Sequence, residues 1–211
     1  MHPLVSLTKL SVENYVRERK IISSAEDLPA ALGEPRLWRK EFLSRKAGTF
    51  VTIEKNGAAL SGRASPNKIG RELRGCIGTY LPTRENVAEE IIHNAIAAAA
   101  EDYRFGPIRE EELPHLSYTV YILGEPELVE GIKELDPKKY GIIVKTIPIK
   151  GPTGIDVVLN GHFVAKTGLL LPDLEGVDMI EKQISIACQK GGIDPLREKI
   201  LIYRFTVEKY Q

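Results

Sequence analysis

The chain reads as an α+β fold built on antiparallel sheets, and three observations predict it. Runs of period two and runs of helical period are mixed along the chain, the Asn56-Gly57 and Asn160-Gly161 dipeptides mark tight hairpins, and no βαβ repeat recurs. Its 211 residues suit one large domain or two small subdomains, and 43% hydrophobic with 27% charged residues is the composition of a chain that buries a core.

Residues 6 to 21 read as an amphipathic helix, because Leu7, Leu10, Asn14 and Arg17 step at helical spacing while Val12, Tyr15 and Val16 fill one side. Ser23 to Pro35 carries two prolines and Gly33 and reads as a loop, before a short basic segment at Leu37 to Phe42. From Thr49 the period changes to two, giving a strand that ends in the Asn56-Gly57 turn. A returning strand covers Leu73 to Tyr80. Between them Ala58 to Glu72 is too long for a tight hairpin, and a loop of that length is commonly functional or mobile. From Ala58 to Gly75 four basic residues (Arg63, Lys68, Arg71 and Arg74) face one acidic residue, Glu72, which is either a local basic patch or a solvated loop.

Thr83 is placed to cap a helix with Glu85 in its first turn, and Val87, Ile91, Ala95 and Ala98 give that helix its apolar stripe. After the acidic turn Glu110 to Glu112, Tyr118 to Leu123 reads as a strand. Lys139 to Ile149 and Ile155 to Leu171 are rich in strand formers and are expected to make a small sheet of their own. Asp178 to Lys190 returns to helical spacing and Gly191-Gly192 closes it, while Leu201, Tyr203, Phe205 and Val207 alternate as a final strand.

Composition excludes several classes of function. Lys plus Arg is 29 and Asp plus Glu is 29, so no global field attracts nucleic acid or an anionic membrane. Ile91 to Ala100 is broken by His93 and Asn94 and falls short of the roughly 20 residues of a membrane span. Lys9, Glu13, Arg17 and Arg19 interrupt any leader-like apolar run, and two cysteines do not staple a chain of this size, so a cytoplasmic, reducing setting is expected. Only three Gln and six Asn occur against many Lys, Glu and Ile, a bias that suggests a hot-living source.

The richest segment is Leu73-Arg-Gly-Cys-Ile-Gly78. In an extended chain Leu73, Gly75 and Ile77 face one way and anchor the core, while Arg74, Cys76 and Gly78 face the other. Arg74 would then lie about 6 to 7 Å from Cys76, near enough for its charge to favour the thiolate, and Gly75 and Gly78 would leave room for a ligand or a second backbone. The alternative is a small buried hydrophobe, the commonest use of a free cysteine. Cys188 lies on the apolar side of its helix and reads as packing. His2, His93, His115 and His162 share no ligand spacing and neither cysteine belongs to a CxxC pair, so no local metal signature exists. His93 falls opposite the core stripe and reads as surface or interface. Phosphate-cradle, dinucleotide and serine-hydrolase motifs are absent, and Glu110-Glu111-Glu112 is most simply a solvated face.

The hexapeptide resembles the signature of the AMMECR family. Other pieces fall in the family's order: the strand Phe50 to Ile53, Asp102-Tyr-Arg-Phe-Gly-Pro107, Glu112-Leu-Pro114, Gly168-Leu-Leu-Leu-Pro172, and a helix bearing Cys188 before Gly191-Gly192. Tyr103 and Gly106 replace the family's prolines, Asp173 stands where Gln or Glu is usual, Val177 where Trp is frequent, and Ala58 to Glu72 is an insertion. These departures bear on ligand identity more than on fold. The resemblance implies an α+β protein of two subdomains, each with a mainly antiparallel sheet flanked by helices and with a cleft between them. The larger would come from both chain ends, about 1–125 and part of 174–211, and the smaller from the middle of the chain. The hexapeptide would line the cleft, with Gly75, Gly78, Arg104 and Asp173 as substrate contacts. Family members travel with MEMO-type and radical-SAM proteins, which implies a shared pathway that modifies a macromolecule, a protein or an RNA. No cofactor, membrane or DNA partner is implied.

Two readings stay open. In one the protein is an enzyme or enzyme component, with Cys76 as thiolate or covalent carrier, Arg74 as its electrostatic partner and Arg104 contacting an anion or carboxylate. In that reading Arg104 alternatively ties its turn to the sheet. In the other the protein is a non-catalytic adaptor whose cleft holds a partner protein, and the hexapeptide is chosen for close backbone packing. A third, nucleic-acid binding through Arg63 to Arg74, predicts affinity that falls steeply with salt.

Overall fold

A computed structural model describes residues 1–22, 41–56, 70–147 and 165–211. The expectations for Ser23 to Pro35, for most of Ala58 to Glu72, for the Asn160-Gly161 turn and for His162 lie outside the described residues. In chain order the elements are α1 (Pro3–Glu18), β1 (Thr49–Asn56), β2 (Arg71–Gly78), α2 (Val87–Ala100), a 3-10 turn at Glu110–His115, and β3 (Leu116–Leu123). They continue with β4 (Glu127–Leu128), a 3-10 turn at Ile132–Glu134, β5 (Gly141–Ile147), β6 (Thr167–Leu170), α3 (Ile180–Gly191), β7 (Lys199–Phe205) and β8 (Val207–Tyr210). The chain divides into two compact units, Met1–Leu123 with Glu208–Gln211, and Gly124–Val207.

The first unit is built on a four-stranded sheet in the order β2-β1-β3-β8, with β1 antiparallel to both neighbours. Val51 and Ile53 of β1, Val120 and Ile122 of β3, Leu4, Leu7 and Val12 of α1, and Ile91 and Ala95 of α2 are sealed from solvent in one core. Helix α1 begins earlier than its apolar spacing indicates. Pro3 occupies its first turn, where a missing N–H costs nothing, and His2 Nδ1 accepts the Leu4 amide at 3.3 Å. It ends at Arg19, whose left-handed backbone (φ 55°) closes the helix.

Helix α2 is capped by Asn86 and not by Thr83. Asn86 Oδ1 accepts the Glu89 amide at 3.0 Å, and Asn86 Nδ2 donates to Glu89 Oε1 at 2.9 Å. Thr83 is drawn instead to Glu90, which accepts its amide at 2.6 Å and its hydroxyl at 2.9 Å.

The strand alternation expected of the hexapeptide is broken once. Ile53 pairs with Gly75 but Glu54 pairs with Leu73, so Arg74 is the extra residue of a β-bulge. Leu73 therefore shares the outward face of Glu54 and Cys76 and is 39% exposed, whereas Gly75 and Ile77 keep the inward face of Ile53 and Val51. The bulge corrects the expectation that Leu73 anchors the core.

The second unit carries the sheet β4-β7-β5-β6, in which β5 pairs antiparallel with β6 and β7. Helix α3 packs Ala187 and Cys188 against Ile142, Val144 and Leu170, and Gly192 in the left-handed region (φ 62°) closes it. The final alternation is two strands in two sheets. The break falls at Thr206, whose carbonyl accepts the Gly124 amide at 2.9 Å, so the chain leaves β7 there and joins the first sheet as β8.

Candidate functional site

Cys76 lies on the outward face of β2, opposite Thr52, with its sulfur 3.3 Å from the Thr52 hydroxyl. It is half-buried, unlike Cys188, which is sealed in the second core and whose thiol is pushed up by burial and by the charge of Glu198. Among the described residues β2 is an edge strand, so the Cys76 amide and carbonyl have no strand partner there on their open side. The turn after α2 supplies one. Asp102 Oδ2 accepts the Cys76 amide at 2.9 Å, and Arg104 Nη2 donates to the Cys76 carbonyl at 3.2 Å. Asp102 and Arg104 are themselves joined, Nε to Oδ1 at 2.9 Å and Nη2 to Oδ2 at 2.6 Å.

Asp102 is only 2% exposed as a side chain, and such a carboxylate is tolerable only when it is paired and hydrogen-bonded. Its bond to Arg104, opposed by desolvation and helped by the Cys76 and Arg104 amides, holds its pKa at about 2. The same bond raises Arg104, and the charges of Asp102, Cys76 and Tyr103 add to that effect. Arg104 thus ties its turn to the sheet, and its side chain remains 44% exposed with Nη1 free of any hydrogen bond among the described residues. Beside it Tyr103 is 95% exposed.

Arg74 faces a different partner from the one its spacing suggests. Its Nε and Nη2 donate to the two oxygens of Glu112 at 2.9 and 3.0 Å, Nη1 donates to the Gly106 carbonyl at 2.8 Å, and Nη2 donates to the Pro107 carbonyl at 3.0 Å. This fork-to-fork pair explains why the bulge residue is arginine. Glu112 is therefore no solvated face: with Arg74 as first cause and the Arg109 amide and Lys55 assisting, its pKa is lowered to about 2. The Leu-Arg-Gly-Cys-Ile-Gly, Asp-Tyr-Arg-Phe-Gly-Pro and Glu-Leu-Pro segments are one hydrogen-bonded network, a convergence that sequence spacing alone does not reveal.

The room at the two glycines is filled from within. A side chain at Gly75 would meet the Ala98 carbonyl of α2, and one at Gly78 would meet the Phe50 ring and the Thr49 carbonyl. Asp173 belongs to the second unit, where it adopts φ 54°, its amide donates to the Pro137 carbonyl at 2.8 Å, and it lies 3.6 Å from Lys138. Among the described residues no group of three or more His, Cys, Asp or Glu side chains could hold a metal ion. Among them no helix is long and apolar enough to cross a membrane.

Glu90 was not legible as a site residue. It has no solvent exposure and accepts from the Thr79 hydroxyl at 2.6 Å, from both groups of Thr83, and from the Arg84 amide at 2.8 Å. Those donors lower its pKa although burial opposes them, and they fix the turn that leaves β2 just past Gly78. The missed signal was Asn86 followed three residues later by Glu89, a capping pattern that moves the helix start and turns Glu90 inward.

A family model described as AMMECR1 matches residues 5–210. A protein of Thermotoga maritima is 43% identical over 210 residues, covering 100% of this chain and 98% of that protein. Protein TK0174 of Thermococcus kodakarensis is 36% identical, covering 99% of this chain and 88% of its own length. Protein CA_C1420 of Clostridium acetobutylicum is also 36% identical, but the match takes up 36% of that protein. The crystal structure of an uncharacterized protein, PH0010, from Pyrococcus horikoshii is 30% identical and aligns with a TM-score of 0.71 over 99% of this chain and 89% of that chain. The thermophilic sources of three of these relatives agree with the scarcity of Gln and Asn.

Proposed function

This chain belongs to the AMMECR1 family, and we propose that it is an enzyme component acting on a macromolecular substrate, with the Cys76 sulfur as the reacting atom and Arg104 as the contact for an anionic group. One observation carries the reading: a half-buried thiol sits on an outward sheet face beside a half-exposed guanidinium, and one carboxylate, Asp102, binds both that guanidinium and the backbone amide of Cys76. The sulfur donates the electron pair of a new bond to an electrophilic carbon, whose leaving group departs with the electrons of the bond that breaks. The thiol proton passes to solvent, because the sulfur's hydrogen-bond partner, the Thr52 hydroxyl, is no base. Protein is the favoured substrate over RNA, since among the described residues the basic side chains near β2 are matched by carboxylates: Arg74 and Lys55 by Glu112, Arg71 by Glu54, Arg104 by Asp102.

The test is native-state alkylation with iodoacetamide followed by peptide mass mapping. Cys76 reacts within minutes while buried Cys188 stays protected until denaturant is added. An inert Cys76 in the folded protein overturns the proposal.

A second reading, the adaptor, is favoured by the fully used glycines and by the exposure of Tyr103 next to Arg104 and of Leu73 on the face of Cys76. It requires that Cys76→Ala leave cellular function intact and that Tyr103→Ala abolish it; the reverse pattern supports the enzyme reading.

A further inference from the structure

A second concave site lies in the first unit, formed by other elements than the Cys76 network. A cavity of about 380 Å³ opens between the end of α1 and the outer side of α2, a size within the range of small-molecule pockets. Tyr15, Ile21, Ile22, Ile92 and Ile96 provide apolar walls, and Arg84, Glu89, His93 and Glu101 also line it. Ile22, Ile92 and Ile96 are almost wholly buried, so the floor is hydrocarbon, while Ile21 at the rim is 56% exposed.

The polar end is chemically specific. Arg84 Nη2 lies 3.1 Å from His93 Nδ1. A guanidinium has no acceptor, so in this contact Arg84 donates and Nδ1 accepts. The remaining guanidinium N–H groups of Arg84 have no acceptor among the described residues, and His93 holds the guanidinium at the polar end of the cavity. Of the lining carboxylates, Glu89 is tied to Asn86 through Oε1, and Glu101 lies eight residues beyond His93, about 12 Å along the helix.

We propose that this cavity binds an organic carboxylate with an elongated apolar body, its head on the open side of the Arg84 guanidinium that His93 holds and its tail laid over Ile92, Ile96 and Ile22. A carboxylate accepts from two N–H groups of one guanidinium at once, and the tail removes the exposed wall of Ile21 from water.

The test is isothermal titration of the full chain with decanoate, with decylammonium and acetate as matched probes and the His93 Nε2 resonance as a local reporter. Decanoate is expected to saturate a single site at least about tenfold more tightly than decylammonium, with acetate weaker still, and to shift the His93 signal. Arg84→Gln, an exposed position whose change leaves the core untouched, weakens decanoate about tenfold or more, and Ile21→Ser weakens it by a smaller factor. Equal binding of decanoate and decylammonium, indifference to Arg84→Gln, an unmoved His93 resonance, or no saturable binding each overturns the proposal.

Discussion

The Asp102 carboxylate accepts the amide of Cys76 across 26 residues of chain, and so a side chain does on the open edge of β2 what a neighbouring strand would do. Arg104 completes the imitation at the carbonyl. An exposed edge invites pairing with other chains, and this one is blocked at the backbone of Cys76. Four measurable consequences follow from the network and its surroundings.

Asp102→Asn removes a charge-assisted bond to Arg104 and sets an amide donor among donors. The sign with pH is fixed by the lowered carboxyl: its contribution is complete above the ordinary value of 3.8 and is lost as pH falls through about 2. Denaturant unfolding should show a loss of about 2 kcal/mol in the variant at neutral pH, shrinking as both proteins are taken from roughly pH 4 to pH 2. A deficit that does not change with pH would place the role of Asp102 elsewhere.

Arg74→Lys keeps the charge and loses the fork. A single ammonium cannot serve both Glu112 oxygens and the Gly106 and Pro107 carbonyls, so a stability loss of about 2 kcal/mol is expected, with the Glu112 contribution still falling away on acidification from 4.5 toward about 2. Unchanged unfolding would mean that Arg74 is not a brace for this turn.

Gly75→Ala pushes a methyl group, fixed rigidly to the strand, into the backbone carbonyl of Ala98, which is held in its helix and cannot yield. A cost of about 3 kcal/mol is expected. Gly106→Ala, with open space at the same atom, should stay within about 0.5 kcal/mol. Similar thermal midpoints for the two variants would contradict the close approach of α2 to β2.

Glu90→Gln replaces an acceptor of four hydrogen bonds by a group that must present a donor to some of them. Unfolding free energy should drop by about 2 to 3 kcal/mol, and hydrogen exchange should quicken first at the Thr83 and Arg84 amides. Slow exchange there in the variant would rule out the anchoring role.

The α+β class, the antiparallel pairing and most elements were legible because each is written in local pattern: β1 in its alternation, α3 in its Gly192 stop. Pairing register is not local, so the bulge at Arg74 was hidden, and with it the outward turn of Leu73. The site was half legible for the same reason. Cys76, Arg74 and Arg104 stand out by type, but a spacing argument pairs Arg74 with the nearest sulfur, whereas Glu112, 38 residues away, offers two oxygens in a matching plane. Asp102 and Glu90 were missed because burying a carboxylate makes sense only once its donors are assembled around it.

The sheet order β2-β1-β3-β8 has a consequence for biogenesis. A nascent chain can lay down three strands of the first sheet early, but the fourth leaves the ribosome only after every residue of the second unit has been made. Until then the β3 edge waits unpaired, and sequestration of that edge by a chaperone, or its mispairing with a neighbouring polypeptide, competes with native closure.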